Sequence, residues 1–411
     1  MGEYPQVGKR VVIMVNQYDI VIVGGGLVGA TLAHALVHQG FKIALVEKLQ
    51  PNQKVTPDYD ARSIALSSSS VHVFKQLELW SYLQPKAHPI KNIHVSERGG
   101  FAITRLSAQE AGIDALGYVV EAQYINQALW RDLASTPLLT VFAPAQVTAL
   151  QIDAEQAVLS LSMENKTLAI AADLVIAADG IHSFIREQLH IGVKQRDYHQ
   201  TALVAHITPT SPNDTAYERF TSTGPLALLP LTGKRYGVVW AVTPTDAARL
   251  VELPDADFLA QLQETFGTRL GRFTRVGKRQ AFPLMLQQAY EQVRPRAVLI
   301  GSASHHLHPV AGQGFNLALR DVALLTATLK RAHTTGEPIG DVSVLTQYLN
   351  TRTREQNRVL QTTDGIVRLF SNEKIHIRII RQLGLLAFDQ FGVLKHGIMR
   401  HAMGLTTQLD K

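Results

Sequence analysis

Apolar and polar positions near the start of the chain follow a strand-then-helix pattern. The run Tyr18 to Val23 is short and apolar, a glycine-rich turn follows it, and apolar positions then recur at helical spacing. Strand and helix signals alternate in this way to about Leu83, which predicts a doubly wound parallel sheet. The segment Ala172 to Glu187 repeats the order strand, turn, helix, so we expect it to return to the same layer.

The middle of the chain is rich in strand signals instead. Short alternating strands are predicted over 139–168, and strand patterns dominate from about Gln195 to Phe282. One helical interruption is predicted there, at Asp255 to Thr268. This pattern favours a second, mostly antiparallel sheet inserted into the first domain. A helix is predicted within Val119 to Leu133, and a long helix after Gly301 leads into a helical C-terminal part.

Composition and charge narrow the class of protein. The chain has 411 residues, 46% of them hydrophobic, so it can bury a sizeable core. No apolar run has the length of a membrane-spanning helix, and residues 1–17 lack the features of a secretory signal, with Met14 an alternative start. The absence of cysteine excludes disulfides, thiolate zinc sites and a dithiol redox pair. The net charge of +6 suits an anionic surface, either nucleic acid or lipid.

The first turn carries a dinucleotide-binding motif. Gly24, Gly26 and Gly29 stand in G-x-G-x-x-G spacing between the strand and the helix, and Glu47 follows the next strand. The glycines allow the backbone to approach a pyrophosphate at a helix N-terminus, and the acid suits a ribose hydroxyl. A tight turn without a ligand is the plain alternative, and NAD fits this motif as well as FAD.

A second motif lies in the stretch Ala178 to Arg186. Asp179 places a carboxylate at the carboxyl end of a strand, where such sheets bind ligands. A simple turn residue is the alternative. Ser183 is expected to cap the following helix, and Arg186 is expected on the solvated face of that helix.

A third motif is the stretch GSASHHLHPVAGQGFNLALRD at 301–321. An apolar strand, Ala297 to Ile300, breaks into a loop rich in proline and glycine, and Gly314 is expected to open a helix. Such a loop presents backbone N–H groups and a positive helix end to a flat, electron-accepting ring. Pro309 supplies a rigid apolar wall, and His308 is expected to shape the loop or line a substrate cavity. Together with the first turn, the loop favours FAD.

The histidines of that loop also suggest a metal site. His305, His306 and His308 are close in sequence, but no carboxylate stands at ligand spacing. We therefore expect no metal, and the loop is interpreted as a flavin contact.

These three segments, in this order, resemble the single-component aromatic flavoprotein monooxygenases of the p-hydroxybenzoate hydroxylase fold. The resemblance extends from Tyr18 to about Gly404. Within that class, the stretches 60–66, 308–321 and 395–404 are similar to the ubiquinone-biosynthesis hydroxylases. The HP-x-AGQG-x-N form resembles the branch that acts on 2-polyprenyl-6-methoxyphenol.

The resemblance implies an α/β fold with three parts. These are a Rossmann-like FAD-binding domain, an inserted and mostly antiparallel substrate-binding sheet, and a helical C-terminal segment. The predicted boundaries are 18–85, 118–190 and 285–335 for the discontinuous FAD-binding domain, 86–117 and 191–284 for the inserted sheet, and 336–411 for the helical segment.

The resemblance also implies which residues contact the cofactor. Pyrophosphate, ribose and flavin contacts are assigned to Gly24, Gly26, Gly29, Glu47, Arg62, Gln127, Asp179, Ser302, Gly312, Gly314, Phe315 and Asn316. Arg62 is linked to flavin movement, and Gln127 to the polar start of a helix. The flavin-facing candidates are His308, Pro309 and Gly312. No catalytic side chain is identified.

Ser302 departs from the family pattern. The family usually has Gly-Asp where this chain has Gly301-Ser302, and that aspartate bonds the ribityl chain of FAD. A serine hydroxyl still forms a hydrogen bond but brings no charge. The difference corresponds to about 1 to 3 kcal/mol of cofactor affinity, so we expect weaker FAD retention.

The implied reaction is ring hydroxylation. NAD(P)H reduces FAD, O₂ adds at flavin C4a, and the hydroperoxide transfers OH to a polyprenylated methoxyphenol in ubiquinone biosynthesis. Because only one dinucleotide motif is present, NAD(P)H is expected to bind transiently.

The sequence leaves three alternatives: a hydroxylase of a soluble aromatic acid, another flavin enzyme such as a halogenase or prenyl reductase, or a flavin-poor structural subunit of a quinone-biosynthesis complex. A halogenase is disfavoured because the Trp-x-Trp-x-Ile-Pro stretch is absent.

The segment 365–404 suggests a lipid surface as a partner. Its apolar residues recur at helical spacing, and six basic residues outnumber two acidic ones. A basic amphipathic helix can lie on anionic lipid, although packing on the domain with a solvated basic face explains the pattern equally well. We expect a cytoplasmic protein, with peripheral contact at the inner face of the membrane. Nucleic acid is disfavoured, since no aromatic and basic platform is present.

Overall fold

The computed structural model describes residues 16–50, 62–133, 136–164 and 166–370. Over these residues the chain forms three β-sheets with helices packed against them. The strands, in chain order, are β1 (Asn16–Val23), β2 (Ile43–Val46), β3 (Ser63–Leu66), β4 (His88–Ile90), β5 (Asn92–Glu97), β6 (Ile103–Ser107), β7 (Gly117–Glu121), β8 (Leu139–Phe142), β9 (Gln146–Ile152), β10 (Ala157–Met163), β11 (Lys166–Ala177), β12 (Val193–Pro209), β13 (Thr215–Phe220), β14 (Pro225–Leu231), β15 (Arg235–Val242), β16 (Phe273–Val276), β17 (Gln280–Ala289), β18 (Val293–Arg294), β19 (Ala297–Leu299) and β20 (His305–His306).

The helices pack on both sides of the first sheet and on one face of the second. They are α1 (Leu27–Val37), α2 (Ser68–Gln76), α3 (Trp80–Leu83), α4 (Ala122–Leu133), α5 (Phe184–Gln188), α6 (Pro244–Glu252), α7 (Asp255–Phe266), α8 (Gln313–Thr335) and α9 (Val342–Phe370). Short 3₁₀ turns occur at Gln84–Lys86, Thr232–Lys234, Gly301–Ala303 and Val310–Gly312.

The first sheet has a parallel centre in the order β19, β11, β1, β2, β8. Val23 lies opposite Val46 on one side and Ala177 on the other, and Ala177 lies opposite Leu299. This register brings the carboxyl ends of β1, β2, β11 and β19 to one edge of the sheet. The prediction of a doubly wound parallel sheet is confirmed, and its carboxyl edge is where such sheets bind ligands.

Both faces of this sheet are buried. Successive residues of β1 point to opposite sides, so Ile20 and Ile22 pack with α1, α4 and α8, while Val21 and Val23 pack with β10, β11 and α5. A parallel sheet covered on both faces needs such continuous apolar strands, which explains why the sequence pattern shows runs and no alternation.

The second sheet is mostly antiparallel and follows the order β20, β17, β12, β15, β14, β13, β5, β6, with β16 beside β12. The pair β13 and β5 is parallel. Helices α6 and α7 cover one face through an apolar cluster that includes Phe258, Leu262 and Trp240. A third sheet, β3, β7 and β4, is antiparallel.

The expectation of a single helix in the inserted sheet was wrong, because α6 precedes α7. Its start is set locally: the side chain of Thr243 accepts a hydrogen bond from the Asp246 N–H at 3.1 Å, and Pro244 occupies the first turn. A threonine cap followed by proline is a helix-start signal that the strand-rich context obscured.

A buried charge network joins the last two helices. The Asp321 carboxylate on α8 lies 2.6 Å from Arg352 Nε and accepts a hydrogen bond from Gln356 Nε2 at 3.0 Å, both on α9. Its second oxygen lies 2.8 Å from His305 Nε2 in the loop before α8. Burial raises the pKa of Asp321, but the charges of Arg352 and His305 outweigh burial and lower that pKa to about 2. The network therefore fixes α9 and the loop to the same helix.

Replacing Asp321 by asparagine should destabilise the protein by about 3 kcal/mol or more, because Arg352 and His305 would both lose this buried charge. Arg352 would keep only Glu355, which it shares with Arg320. Urea unfolding of the variant and the wild type measures this difference. The exposed loop substitution Asp114→Asn is the control and should change stability by less than about 0.5 kcal/mol. Since the folded pKa lies below the ordinary value, the carboxylate contributes fully above about pH 4 and this contribution is lost as the pH falls towards 2. Equal unfolding midpoints for Asp321→Asn and Asp114→Asn would contradict the stabilising role assigned to the Asp321 carboxylate.

Candidate functional site

The turn between β1 and α1 uses its glycines for different reasons. Gly24 has a φ of 101°, and a Cβ there would lie 2.5 Å from the Ala178 carbonyl oxygen. A Cβ at Gly29 would lie 1.8 Å from the Gly24 oxygen, so α1 can only pack this closely against the turn with glycine. A Cβ at Gly26 would meet no protein atom within 4 Å. Two glycines are therefore required by packing, and Gly26 faces open space.

Glu47 holds the same turn. One carboxylate oxygen accepts a hydrogen bond from Gly25 N–H at 2.6 Å, and the other accepts from Leu49 N–H at 2.9 Å. From the other side, Trp130 Nε1 donates to the Gly25 oxygen at 3.2 Å. The sequence predicted a ribose contact for Glu47. Its carboxylate retains acceptor capacity beyond these two bonds, so both roles are compatible.

Asp179 lies just beyond the carboxyl end of β11, beside the glycine turn. Its Oδ2 accepts a hydrogen bond from Ile185 N–H at 3.2 Å, whereas Oδ1 is buried without a hydrogen-bond partner among the described residues. Burial raises the pKa of this carboxyl group above its ordinary value. Buried polar atoms are rarely left unpaired, so this oxygen suits a hydrogen-bond donor on a ligand.

Ser183 caps α5 as predicted, with its hydroxyl accepting from the Arg186 N–H at 3.1 Å. The expectation that Arg186 lies on a solvated face was wrong, since this residue is 5% exposed. Its guanidinium donates to the carbonyl oxygens of Ala303 at 3.1 Å and Ile181 at 2.9 Å. Arg186 therefore ties the Asp179 turn to the turn that contains Ser302.

The loop before α8 is held by its histidines. Ser302 Oγ lies 3.3 Å from His306 Nδ1, and His308 Nδ1 accepts a hydrogen bond from Val310 N–H at 3.1 Å. His308 is fully buried and lies edge-on to Tyr198, at 5.2 Å between ring centres. Burial lowers the pKa of His308 to about 4, so the ring is neutral at pH 7. This agrees with a loop-shaping role.

No metal site is found here. Among the described parts of the chain, no group of three or more histidine, cysteine, aspartate or glutamate side chains can hold a metal ion.

The amide of Asn316 connects three separate segments. Its oxygen accepts hydrogen bonds from Ser67 N–H at 2.9 Å and Ser70 Oγ at 2.6 Å. Its nitrogen donates to the carbonyl oxygens of Ala65 at 2.8 Å and Gly312 at 2.7 Å. All four hydrogen-bonding positions of the side chain are thus occupied by protein groups. Asn316 therefore fixes the loop against β3 and the start of α2.

The helix after the loop begins one residue earlier than expected, at Gln313. Gly312 precedes it with a φ of 60°, and a Cβ there would lie 3.4 Å from the Ala65 Cβ. Gly314 faces open space, because a Cβ there would meet no protein atom within 4 Å. Phe315 is half-buried, with its ring centre 6.4 Å from that of Phe74. Pro309, by contrast, is exposed.

Arg62 and Gln127 occupy different settings. Arg62 is exposed at the start of β3, and its carbonyl oxygen accepts a hydrogen bond from Ala122 N–H at 3.0 Å. Gln127 lies in the middle of α4, where the Tyr82 hydroxyl donates to it. The association of Gln127 with a helix start was therefore wrong. The glutamine at the start of α4 is Gln123, whose Oε1 is buried without a hydrogen-bond partner in the described structure.

Comparison with known proteins agrees with these features. The family model described as "FAD binding domain" matches residues 17–363. Ubiquinone hydroxylase UbiL of Rhodospirillum rubrum is 38% identical over 387 residues, covering 94% of this chain and 89% of that protein. The 3-demethoxyubiquinol 3-hydroxylase of Escherichia coli is 34% identical over 397 residues, covering 95% of this chain and 100% of that protein. The chain belongs to the FAD-binding domain family, among the ubiquinone-biosynthesis hydroxylases.

The fold of this hydroxylase also has solved relatives. The crystal structure of p-nitrophenol 4-monooxygenase PnpA from Pseudomonas putida DLL-E4 superposes with a TM-score of 0.80, covering 96% of this chain and all of that one. The sequence identity is 16%, so this likeness concerns the fold. The predicted p-hydroxybenzoate hydroxylase-like architecture is confirmed.

The residues present fit FAD. Buried Asp179 Oδ1 and Gln123 Oε1 lack partners in the described part of the chain, and the glycines at 26 and 314 leave open space next to the backbone. The N-terminus of α1 carries no side-chain cap, which leaves its N–H groups available to an anionic group. Unsatisfied acceptors, open glycines and an uncapped helix end match a ligand with hydroxyls and a pyrophosphate.

Alanine substitutions at two glycines should separate folding from cofactor binding. Gly29→Ala should destabilise the apoprotein by about 3 kcal/mol or more, because its Cβ would overlap the Gly24 oxygen. Gly26→Ala should leave the free energy of unfolding within about 1 kcal/mol of the wild type but weaken FAD binding at least about tenfold, since the methyl group fills ligand space. Urea unfolding and quenching of FAD fluorescence measure the two effects.

The matched control is Gly277→Ala, whose Cβ would make only an ordinary contact at 3.7 Å. Gly277→Ala should change neither the free energy of unfolding nor the affinity for FAD. If Gly26→Ala bound FAD as tightly as the wild type, the pyrophosphate would not lie at this turn.

Proposed function

We propose that this protein is an FAD-dependent monooxygenase that hydroxylates the ring of a polyprenylated methoxyphenol in ubiquinone biosynthesis. The main support is the match to ubiquinone hydroxylases over nearly the whole chain, at up to 38% identity. The site geometry adds independent support, because the glycine turn, Asp179 and the loop before α8 converge at one sheet edge.

Three groups of residues are proposed to hold FAD. Gly24, Gly26 and Gly29 would face the pyrophosphate, and Glu47 the adenosine ribose. Asp179 Oδ1 and Gln123 Oε1 would accept hydrogen bonds from hydroxyl or N–H groups of the cofactor. The flavin would lie along the loop at 308–316. When bound, FAD supplies the transfer of one oxygen atom of O₂ to the ring while NAD(P)H provides the electrons and the second oxygen leaves as water.

The loop residues are proposed to hold the loop in one conformation and to exclude water beside it. His308 is neutral and buried, so it holds the loop without placing a charge beside the ring system. Val310 and Phe220 are buried in one apolar cluster with Tyr198, which excludes water from this side of the loop. Asn316 fixes the loop to β3, so the backbone N–H groups keep their direction.

Contact with a lipid surface stays a prediction from sequence. The basic amphipathic pattern over 365–404 lies largely outside the described residues, which end at 370. No helix in the described ranges is long and apolar enough to span a bilayer. A polyprenylated substrate resides in the membrane, so we propose that the enzyme meets an anionic membrane surface to reach it. Binding to a quinone-biosynthesis complex is a further proposal from sequence.

The reaction is tested directly with purified holoprotein, NAD(P)H, ¹⁸O₂ and a methoxyphenol that bears a short prenyl chain. The expected product carries one ¹⁸O atom on the ring, as measured by mass spectrometry. In cells, deletion of the gene should accumulate an early prenylphenol. Flavin-free, inert protein would favour a structural subunit, and preferential hydroxylation of a free aromatic acid would favour a catabolic enzyme.

Ser302→Asp should tighten FAD binding by about tenfold or more. An aspartate there adds a charged hydrogen-bond acceptor that we propose bonds the ribityl chain of FAD. The serine hydroxyl that it replaces lies 3.3 Å from His306 Nδ1. Fluorescence titration of the apoprotein with FAD measures the change. The exposed Ser343→Asp is the control and should leave the affinity unchanged. Wild-type protein that purifies with stoichiometric FAD would contradict weak retention.

A further inference from the structure

The two faces of the nine-stranded sheet differ at β13. Tyr217 packs edge-on to Phe266 of α7 at 5.2 Å between ring centres, and Arg219 Nε donates to the Thr265 oxygen at 3.0 Å. Side chains alternate along a strand, so Glu218 points to the opposite face. That face turns towards the loop before α8, since Phe220 lies in one apolar cluster with Val310.

The neighbours of Glu218 on this face are apolar. In the register of the sheet, Glu218 lies between Val95 on β5 and Ala227 on β14, and Ala227 lies opposite Val239 on β15. These three residues are half-buried, as is Leu229 one row away. The glutamate is therefore a single carboxylate in a row of aliphatic side chains that is open enough to receive a ligand.

Contacts on both sides place this row beside the flavin loop. On one side, Phe220 is two residues along the strand, roughly 7 Å away, and packs with Val310. On the other side, Ala216 and Leu229 pack with Ala65 of β3, the residue that approaches Gly312. The row around Glu218 spans the gap between these two contacts. The row therefore borders the loop at 308–316.

Among the residues that the structure describes, the inner oxygen of the Glu218 carboxylate has no partner. Oε1 is buried and makes no hydrogen bond with the described residues. Burial alone raises the pKa of Glu218 to about 7. Other ionisable groups on this face or facing it have their own interactions. His206 faces Glu121 at 3.8 Å, and Arg235 donates to Glu121 at 2.6 Å. Tyr198 donates to Asp364 at 3.1 Å, and Glu97 at the end of β5 has an interaction partner. His308 Nδ1 accepts from Val310 N–H, while its Nε2 makes no hydrogen bond with the described residues.

A second acceptor stands in the same row. Val239 lies opposite Val204, and Val204 lies opposite Gln280, whose Oε1 is likewise buried without a partner among the described residues. Gln280 lies four strands from Glu218, roughly 19 Å at ordinary strand spacing, so one ring does not reach both oxygens. The unpaired Glu218 oxygen in an apolar row by itself favours a ligand that donates a hydrogen bond. A carboxylate ligand would instead place like charges together at Glu218, which disfavours an aromatic acid.

We propose that Glu218 binds the phenolic hydroxyl of the substrate and accepts its proton during ring hydroxylation. This assignment rests on the proposed function. The O–H bond of the phenol breaks, the proton forms an O–H bond with the Glu218 carboxylate, and the electron pair left on the phenolic oxygen enriches the ring for attack on electrophilic oxygen. A base whose pKa lies near the working pH is efficient in such a step. The aliphatic row holds the ring, and the prenyl chain extends along the same face.

Two variants of the holoprotein test the two parts of the proposal. Glu218→Gln keeps a hydrogen-bond acceptor but removes the base, so turnover of a short-chain prenyl methoxyphenol should fall about 100-fold or more while FAD affinity stays unchanged. Glu218→Leu removes both functions. Wild-type holoprotein should bind the phenol at least about tenfold more tightly than its methyl ether, and the leucine variant should lose this preference. Product formation and the shift of flavin absorbance on binding are the measurements.

The control is Glu252→Gln, an exposed residue on α6 at the opposite face, which should behave as the wild type in both assays. If Glu218→Gln turned over as fast as the wild type, Glu218 would not be the base that accepts the phenolic proton. If Glu218→Leu still preferred the phenol to its methyl ether, Glu218 would not contact the phenolic hydroxyl. If the wild type formed no hydroxylated product, the proposed function would fail, while the comparison of phenol and methyl ether would still decide whether Glu218 contacts a phenol.

Discussion

The four hydrogen bonds of the Asn316 amide are the constraint on which the site depends. They join the loop before α8 to β3 and to the start of α2, segments separated by about 250 residues of sequence. Because every position of the amide is occupied, the loop has one geometry relative to β3. The inserted sheet packs against the same two elements through Ala65 and Val310. Asn316 therefore helps to fix the spacing between the loop at 308–316 and the inserted sheet.

The carboxyl edge of the parallel sheet is where we propose that the cofactor lies. Parallel register brings the turns after β1, β2, β11 and β19 together, so Gly24, Glu47, Asp179 and Ser302 meet although they are far apart in sequence. Arg186 then links two of these turns through its bonds to Ile181 and Ala303. The buried Asp321 network anchors α9 and His305 to α8, which extends the rigid frame beyond the sheet.

Unpaired buried oxygens occur where these elements meet. Asp179 Oδ1, Gln123 Oε1 and Glu218 Oε1 lack partners among the described residues, and leaving such atoms unsatisfied costs about 1 to 3 kcal/mol each. A ligand that donates hydrogen bonds to these oxygens would offset this free-energy cost. Two of the three oxygens suit the cofactor, and Glu218 lies on the sheet face across from it. The proposed cofactor edge and the proposed substrate face thus both border the loop at 308–316.

Local patterns were sufficient for the parallel sheet, the glycine turn, the cap at Ser183 and the family, because strand runs, turn glycines and caps depend on residues near in sequence. They did not reveal α6, the burial of Arg186, the mid-helix position of Gln127, or the unpaired oxygens of Gln123 and Glu218 among the described residues. The start of α6 is a local signal at Thr243 and Pro244 that the strand-rich context obscured. The settings of Arg186 and Glu218 depend on contacts across the fold: Arg186 is buried by the turn at 301–303, and Glu218 is flanked by β5 and β14. Whether a polar side chain is solvated, paired or left facing a ligand is decided by neighbours distant in sequence, and that information exists only once the chain has folded.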